Sequence, residues 1–93
     1  DFDGFSNGKL IEAKDNYSSF IDPKTGDWKW WFKNGRAGKN ETGYEALVRE
    51  ARSQQAAAGG NPLEWRVSSP ELKATLERTF GEEGIDIPVV VYP

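Results

Sequence analysis

Residues 1–15 read DFDGFSNGKLIEAKD, and the pair at their centre, Asn7-Gly8, decides how this chain begins to fold. Both residues tolerate the positive φ that a type I′ turn demands, so together they mark a two-residue β-hairpin loop. With Asn7 and Gly8 in the loop, Ser6 pairs with Lys9, Phe5 with Leu10 and Gly4 with Ile11. The register extends to Asp3 opposite Glu12, Phe2 opposite Ala13 and Asp1 opposite Lys14. Alternation along each strand then puts Asp1, Asp3, Glu12 and Lys14 on one face and Phe2, Ile11 and Ala13 on the other. Two carboxylates facing each other across a strand pair repel. Solvent screening, a raised pKa or a shared cation would each relieve that repulsion.

Outward from the hairpin, the rest of the chain alternates strands and helices. ETGYEALVREARSQQAAAGG, residues 41–60, is the clearest helix: Tyr44, Leu47, Val48, Ala51 and Ala58 fall on one stripe at helical spacing, and Gly59-Gly60 ends it. Gln54 and Gln55 flank that stripe. A glutamine there is either a satisfied structural hydrogen-bonder or a polar group aimed into a site between helix and sheet. PLEWRV, residues 62–67, alternates as a strand with Leu63, Trp65 and Val67 inward and Glu64 and Arg66 outward. SSPELKATLERTF then starts a second helix, with Ser69 as N-cap, Pro70 at its first position, Glu71 in its first turn, Leu72, Leu76 and Phe80 on its apolar face and Gly81 as its stop. IDIPVVVYP is a last strand, which Pro88 confines to an edge or a bulge. The order is β-β-loop-α-β-α-β, an α/β fold whose mixed sheet has at least one parallel pair and flanking helices.

Composition narrows the chemistry. The 93 residues suffice for one small domain, residues 1–93, with a single modest core. No apolar run approaches the length of a membrane span. With no cysteine and no histidine, disulfides, thiolate or imidazole metal sites and Ser-His-Asp triads are excluded. Catalysis would run on carboxylates, lysine, glutamine and a hard, oxygen-binding cation. The absence of methionine and a start in mid-strand lead to the expectation of a C-terminal piece of a longer chain.

The net charge of −3 gives no global pull on nucleic acid. Locally, however, Lys29, Lys33, Arg36 and Lys39 accompany Trp28, Trp30, Trp31 and Phe32 with no acid between residues 28 and 39. Three readings of that stretch stand side by side. The aromatics can complete a core beneath wet lysines, the segment can form a lip over a polyanion, or it can dock a partner protein.

On the hairpin, Asp3, Glu12 and Lys14 fit the pattern D-x8-E-x-K. Two carboxylates on adjacent strands are suited to chelating Mg²⁺, and a lysine two residues on lies on the same face, where it can orient a water or stabilise charge on a phosphate. FDGFSNGKLIEAK, the helix ALVREARSQQAAAGG with its Ala51-Arg52-Ser53-Gln54, PLEWRV and the terminal IPVVVYP together resemble the restriction-endonuclease-fold toxin 5 domain, within the PD-(D/E)xK nuclease superfamily, over nearly all of the chain.

The resemblance implies a restriction-endonuclease-like sheet whose first core helix, with its further acid, would precede residue 1. It implies an Mg²⁺-dependent (or Mn²⁺-dependent) DNase with Asp3 and Glu12 as metal ligands, Lys14 as the catalytic lysine and Gln54 facing the site. Lys29, Lys33, Arg36, Lys39 and Arg52 are then candidates for phosphate contact. The implied setting is a bacterial effector toxin. The producing cell would export it, often by type VI secretion with the delivery proteins of its parent effector, and a cognate immunity protein would neutralise it. Its place of action would be the cytoplasm of a competitor. The alternatives are an RNase of the same fold and a non-catalytic protein- or nucleic-acid-binding module.

Overall fold

The computed structural model describes residues 4–6, 8–35 and 41–92. The hairpin forms in the register that Asn7-Gly8 dictates: β1 (Gly4–Ser6) runs antiparallel to β2 (Lys9–Ala13), with Gly4 opposite Ile11, Phe5 opposite Leu10 and Ser6 opposite Lys9. Gly8 takes φ +81°, the left-handed region that such a turn requires. Asp1, Phe2, Asp3 and Asn7 lie outside the described residues, so the pairing of Asp3 with Glu12 is not part of this description.

The chain leaves β2 through a 3-10 helix (Asp15–Phe20), a tight turn and a short helix α1 (Trp30–Asn34) before the long helix α2 (Gly43–Ala58). Sequence periodicity showed this connection only as a loop, because neither short helix is long enough to display a period. In the turn, Gly26 N–H donates to the Asp22 carbonyl at 2.8 Å, and Asp22 Oδ1 accepts from Lys24 N–H at 2.9 Å. After α2 come β3 (Leu63–Val67), α3 (Pro70–Glu83) and β4 (Val89–Val91). The sheet order is β1-β2-β3-β4, with β2, β3 and β4 mutually parallel. Each parallel pair is joined by a helical crossover, as parallel strands require.

The helix termini follow their local signals, with one exception. Thr42 caps α2 in a reciprocal capping box with Glu45, and Gly59 closes it in the left-handed conformation. Ser69 caps α3, its hydroxyl accepting from Leu72 N–H, ahead of Pro70. Gly81 does not stop α3. The helix runs on to Glu83 and ends at Gly84, which takes φ +69°. Ile85 and Ile87 are buried against the core just past that point, and they set where the chain turns.

One sheet face, carrying Leu63, Trp65, Val67 and Val89, packs with Leu47 and Ala51 of α2 and Leu72, Leu76 and Phe80 of α3. Of the aromatics in the 15–34 connection, Trp28 and Phe32 join this core and Tyr17, Phe20 and Trp31 pack against it, while Trp30 faces water. Phe32 stacks on Phe20 at 4.7 Å and tilts against Trp28 at 4.8 Å, and Trp28 Nε1–H donates to Thr79 Oγ1 at 2.8 Å. Phe32 passes close to the start of α2, where Gly43 leaves room for its ring.

The opposite sheet face departs from simple alternation at Glu64. Its side chain points outward yet is buried, because Lys9 Nζ (3.3 Å) and Arg66 Nε (2.6 Å) close over it, and Arg66 in turn lies over the Tyr92 ring at 4.1 Å. Of IDIPVVVYP, only Val89–Val91 forms a strand, at the sheet edge. The Pro88 carbonyl accepts from Trp65 N–H at 2.9 Å, a bond that asks no donor of the proline.

Candidate functional site

Glu12 lies near the end of β2 with Trp65 as its neighbour on β3, so its side chain shares the helix-covered face with that indole. Lys14 N–H donates to the Arg66 carbonyl at 2.9 Å, which carries the strand pairing one step past β2 and returns Lys14 to the same face. Both residues are buried, each 7% exposed. A charge in that setting survives only if paired.

The pairing is explicit. Lys14 Nζ stands 3.0 Å from Glu12 Oε2 and 2.7 Å from Glu50 Oε2, with the ring of Trp65 5.4 Å away. Glu50 Oε1 accepts from the Tyr17 hydroxyl at 2.8 Å. Thus β2, the 3-10 helix and α2 each contribute to one cluster in which two carboxylates share one ammonium. Burial works to lower the Lys14 pKa, but hydrogen bonds and charge from Glu50 and Glu12 outweigh it and leave the pKa raised. Burial works to raise the Glu50 pKa, and the bonds from Lys14 and Tyr17 reverse that and hold it below the usual carboxylate range. Burial and the bond to Glu50 push the Tyr17 hydroxyl well above the ordinary phenol value.

Glu12 Oε1 is the exception to this saturation. It is buried and has no hydrogen-bond partner among the described residues. A carboxylate oxygen so placed, beside an excess of negative charge, is the donor type a hard divalent cation takes. The described residues hold no group of three or more metal-ligating side chains. Glu12 therefore fits as one ligand of such an ion, and Asp3 lies outside the described residues.

Gln54, one turn after Glu50 on α2, is buried beside the cluster, and its Oε1 accepts from Trp65 Nε1–H at 2.7 Å. Beside it a cleft of about 350 Å³ opens between Tyr17, Ala46, Arg49, Glu50, Ser53 and Gln54. Arg49 stands at its edge, held by Glu41 through two bonds of 2.9 and 3.0 Å.

Two of the remaining candidates, Arg52 and Lys33, lie elsewhere. Arg52 lies on the flank of α2 that faces α3, where its Nη2 donates to the Glu83 carbonyl at 2.9 Å. Lys33 Nζ sits 5.6 Å over the ring of Tyr44, whose hydroxyl donates to Glu83 on that same flank. Lys29 is half-buried ahead of α1, and Arg36 and Lys39 lie outside the described residues. Sequence reasoning missed Glu50 and Tyr17. A signal for Glu50 existed, since it precedes Gln54 by four residues and so shares its side of the helix. Nothing local says that this side meets Lys14.

The structure thus defines a mixed α/β domain with a buried carboxylate–lysine site that uses neither histidine nor cysteine. Residues 1–70 match the family described as restriction endonuclease fold toxin 5, and the chain belongs to it. That membership makes it a toxin domain of nuclease type. The match spans β1 through β3 and reaches the first residue of α3, so IPVVVYP lies beyond it. No curated protein and no solved structure matches the chain.

Proposed function

We propose that this domain is a divalent-metal-dependent nuclease that hydrolyses phosphodiester bonds of DNA with water as nucleophile. The observation that carries the reading is the pairing of Glu12 and Lys14 on one buried face, with Glu12 Oε1 left without a protein partner among the described residues. Glu12 and Asp3 would hold Mg²⁺ or Mn²⁺. Once bound, the ion supplies Lewis-acid polarisation of the phosphate and a lowered pKa for water.

The chain's own groups do the rest. Lys14, fully charged at neutral pH, orients the water and balances charge that develops on the phosphate. Glu50 and Tyr17 restrict where its ammonium stands. Gln54 ties α2 to Trp65 and so sets the depth of the site. Lys29, at the start of α1, holds the phosphate backbone, with Arg36 and Lys39 as further candidates from the sequence. Lys33 and Arg52, on the far flank of α2, serve a longer duplex or none. The biological setting is that of an effector exported with delivery proteins into the cytoplasm of a competing bacterium and held in check by an immunity protein.

Plasmid and total RNA, incubated with Mg²⁺ and with EDTA, test the reading. The expected result is Mg²⁺-dependent nicking of the plasmid that Glu12→Ala and Lys14→Ala abolish while the circular dichroism spectrum is kept. Cleavage by both variants at the parental rate would sink it, and cleavage of RNA alone would make the domain an RNase. A second reading, a binding module without catalysis, draws on Trp30, a large apolar side chain left 74% exposed. It predicts stable complexes with a partner protein or nucleic acid and no dependence on metal.

A further inference from the structure

Lys14 is the only described cation within reach of Glu12, and it is itself enclosed: its side chain is 8% exposed. Its ammonium is shared between Glu12 Oε2 and Glu50 Oε2, and the shorter contact is to Glu50. A divalent cation bound at Glu12 competes with Lys14 for that carboxylate. A buried ammonium stripped of its counter-ion is strongly unfavourable, so without a second anion Lys14 would hold on to Glu12 and resist the metal.

Building on the metal-dependent reading above, we infer that Glu50 is a positioning residue that holds Lys14 in place when a divalent cation takes over Glu12, and that Tyr17, by bonding the other oxygen of Glu50, fixes that anchor. Glu50 acts through Lys14 and touches no metal. It also sets where the lysine comes to rest, beside the cleft that Tyr17, Glu50 and Gln54 line, which is where a substrate phosphate would have to lie to meet it.

Calorimetric titration with Mn²⁺, with no nucleic acid present, separates this from the alternatives. Glu50→Gln, nearly isosteric, removes the anchoring charge and is expected to weaken Mn²⁺ binding by about tenfold, the scale of one charge-assisted hydrogen bond. Tyr17→Phe acts in the same direction and by less. Lys14→Met removes the competing ammonium and strengthens binding, and in that background Glu50→Gln loses most of its effect. Circular dichroism checks each fold. If Lys14→Met does not fold, Lys14→Gln, which keeps polar contacts with both carboxylates, replaces it as the background.

An equal weakening by Glu50→Gln with and without Lys14 would make Glu50 a direct partner of the metal and overturn the inference. No weakening in the parent would overturn it as well. Absence of Mn²⁺ binding in both the parent and Lys14→Met would remove the metal-dependent reading itself, and the inference with it.

Discussion

Replacing Gln54 by leucine tests whether the helix glutamine is a structural bond or a group free to serve the site. Its Oε1 accepts from Trp65 Nε1–H at 2.7 Å, and both residues are buried, Trp65 completely. Leucine nearly conserves volume but leaves the indole N–H without a partner in a place water does not reach. Such an orphaned donor costs about 1–3 kcal/mol. In a domain of this size that lowers the thermal midpoint by about 4–8 °C for each kcal/mol.

The clean measurement is a double-mutant cycle followed by far-ultraviolet circular dichroism in urea. Trp65→Phe also removes the bond, and in addition it opens a void beside Phe80, which packs edge-on at 5.1 Å. If the bond is as described, Gln54→Leu costs markedly less in the Trp65→Phe background, with a coupling of about 1 kcal/mol or more. Costs that add to within about 0.5 kcal/mol would refute the reasoning, because independent sites behave in that way. Gln54 would then be free of the indole and available for substrate.

Three further outcomes follow from particular contacts. Gly43→Ala ought to gain about 0.5–1 kcal/mol as an ordinary helix substitution, but its Cβ would stand 2.5 Å from Phe32 Cδ1 and Cε1, so overpacking reverses the sign to a loss of about 1–3 kcal/mol in urea unfolding. The Glu50 pKa is lowered in the fold, so its contribution is present above the ordinary glutamate value of 4.5 and fades on acidification. The Lys14 pKa is raised, so its contribution is present below the ordinary lysine value of 10.5 and fades at higher pH. Melting curves across pH should fall off at both ends, and Glu50→Gln should flatten the acid limb. Trp30→Ala removes a side chain that is 74% exposed, and should shift the unfolding midpoint by less than about 0.5 kcal/mol. If Trp30 stacks on a base, it should weaken binding of a fluorescent single-stranded oligonucleotide in EDTA by about 1–3 kcal/mol, and unchanged binding would remove it from the nucleic-acid surface.

Several features of this molecule are local and could be read along the chain. The Asn7-Gly8 turn carries its own register, since only residues at ease with positive φ close a two-residue hairpin, and Gly4, Phe5 and Ser6 pair as that register requires. The capping signals Thr42–Glu45 and Ser69-Pro70 likewise act within a few residues, as does the Gly59 stop. The shared face of Glu12 and Lys14 follows from the two-residue period of a strand.

What the chain could not show by itself is long-range. Gly81 looks like a helix stop, but burial of Ile85 and Ile87 decides where α3 ends. Glu64 reads as an outward, wet residue until Lys9, some fifty-five positions away, closes over it. The aromatics of residues 28–32 read equally well as a core or as a surface, and packing divides them: Trp28 and Phe32 go inside, while Trp30 stays out. Above all, Glu50 meets Lys14 across thirty-six residues and Tyr17 across thirty-three. Periodicity tells which side of α2 carries Glu50, but only the packing of that helix on the sheet brings its carboxylate to the lysine, because a buried ammonium needs more anionic contact than one strand neighbour supplies.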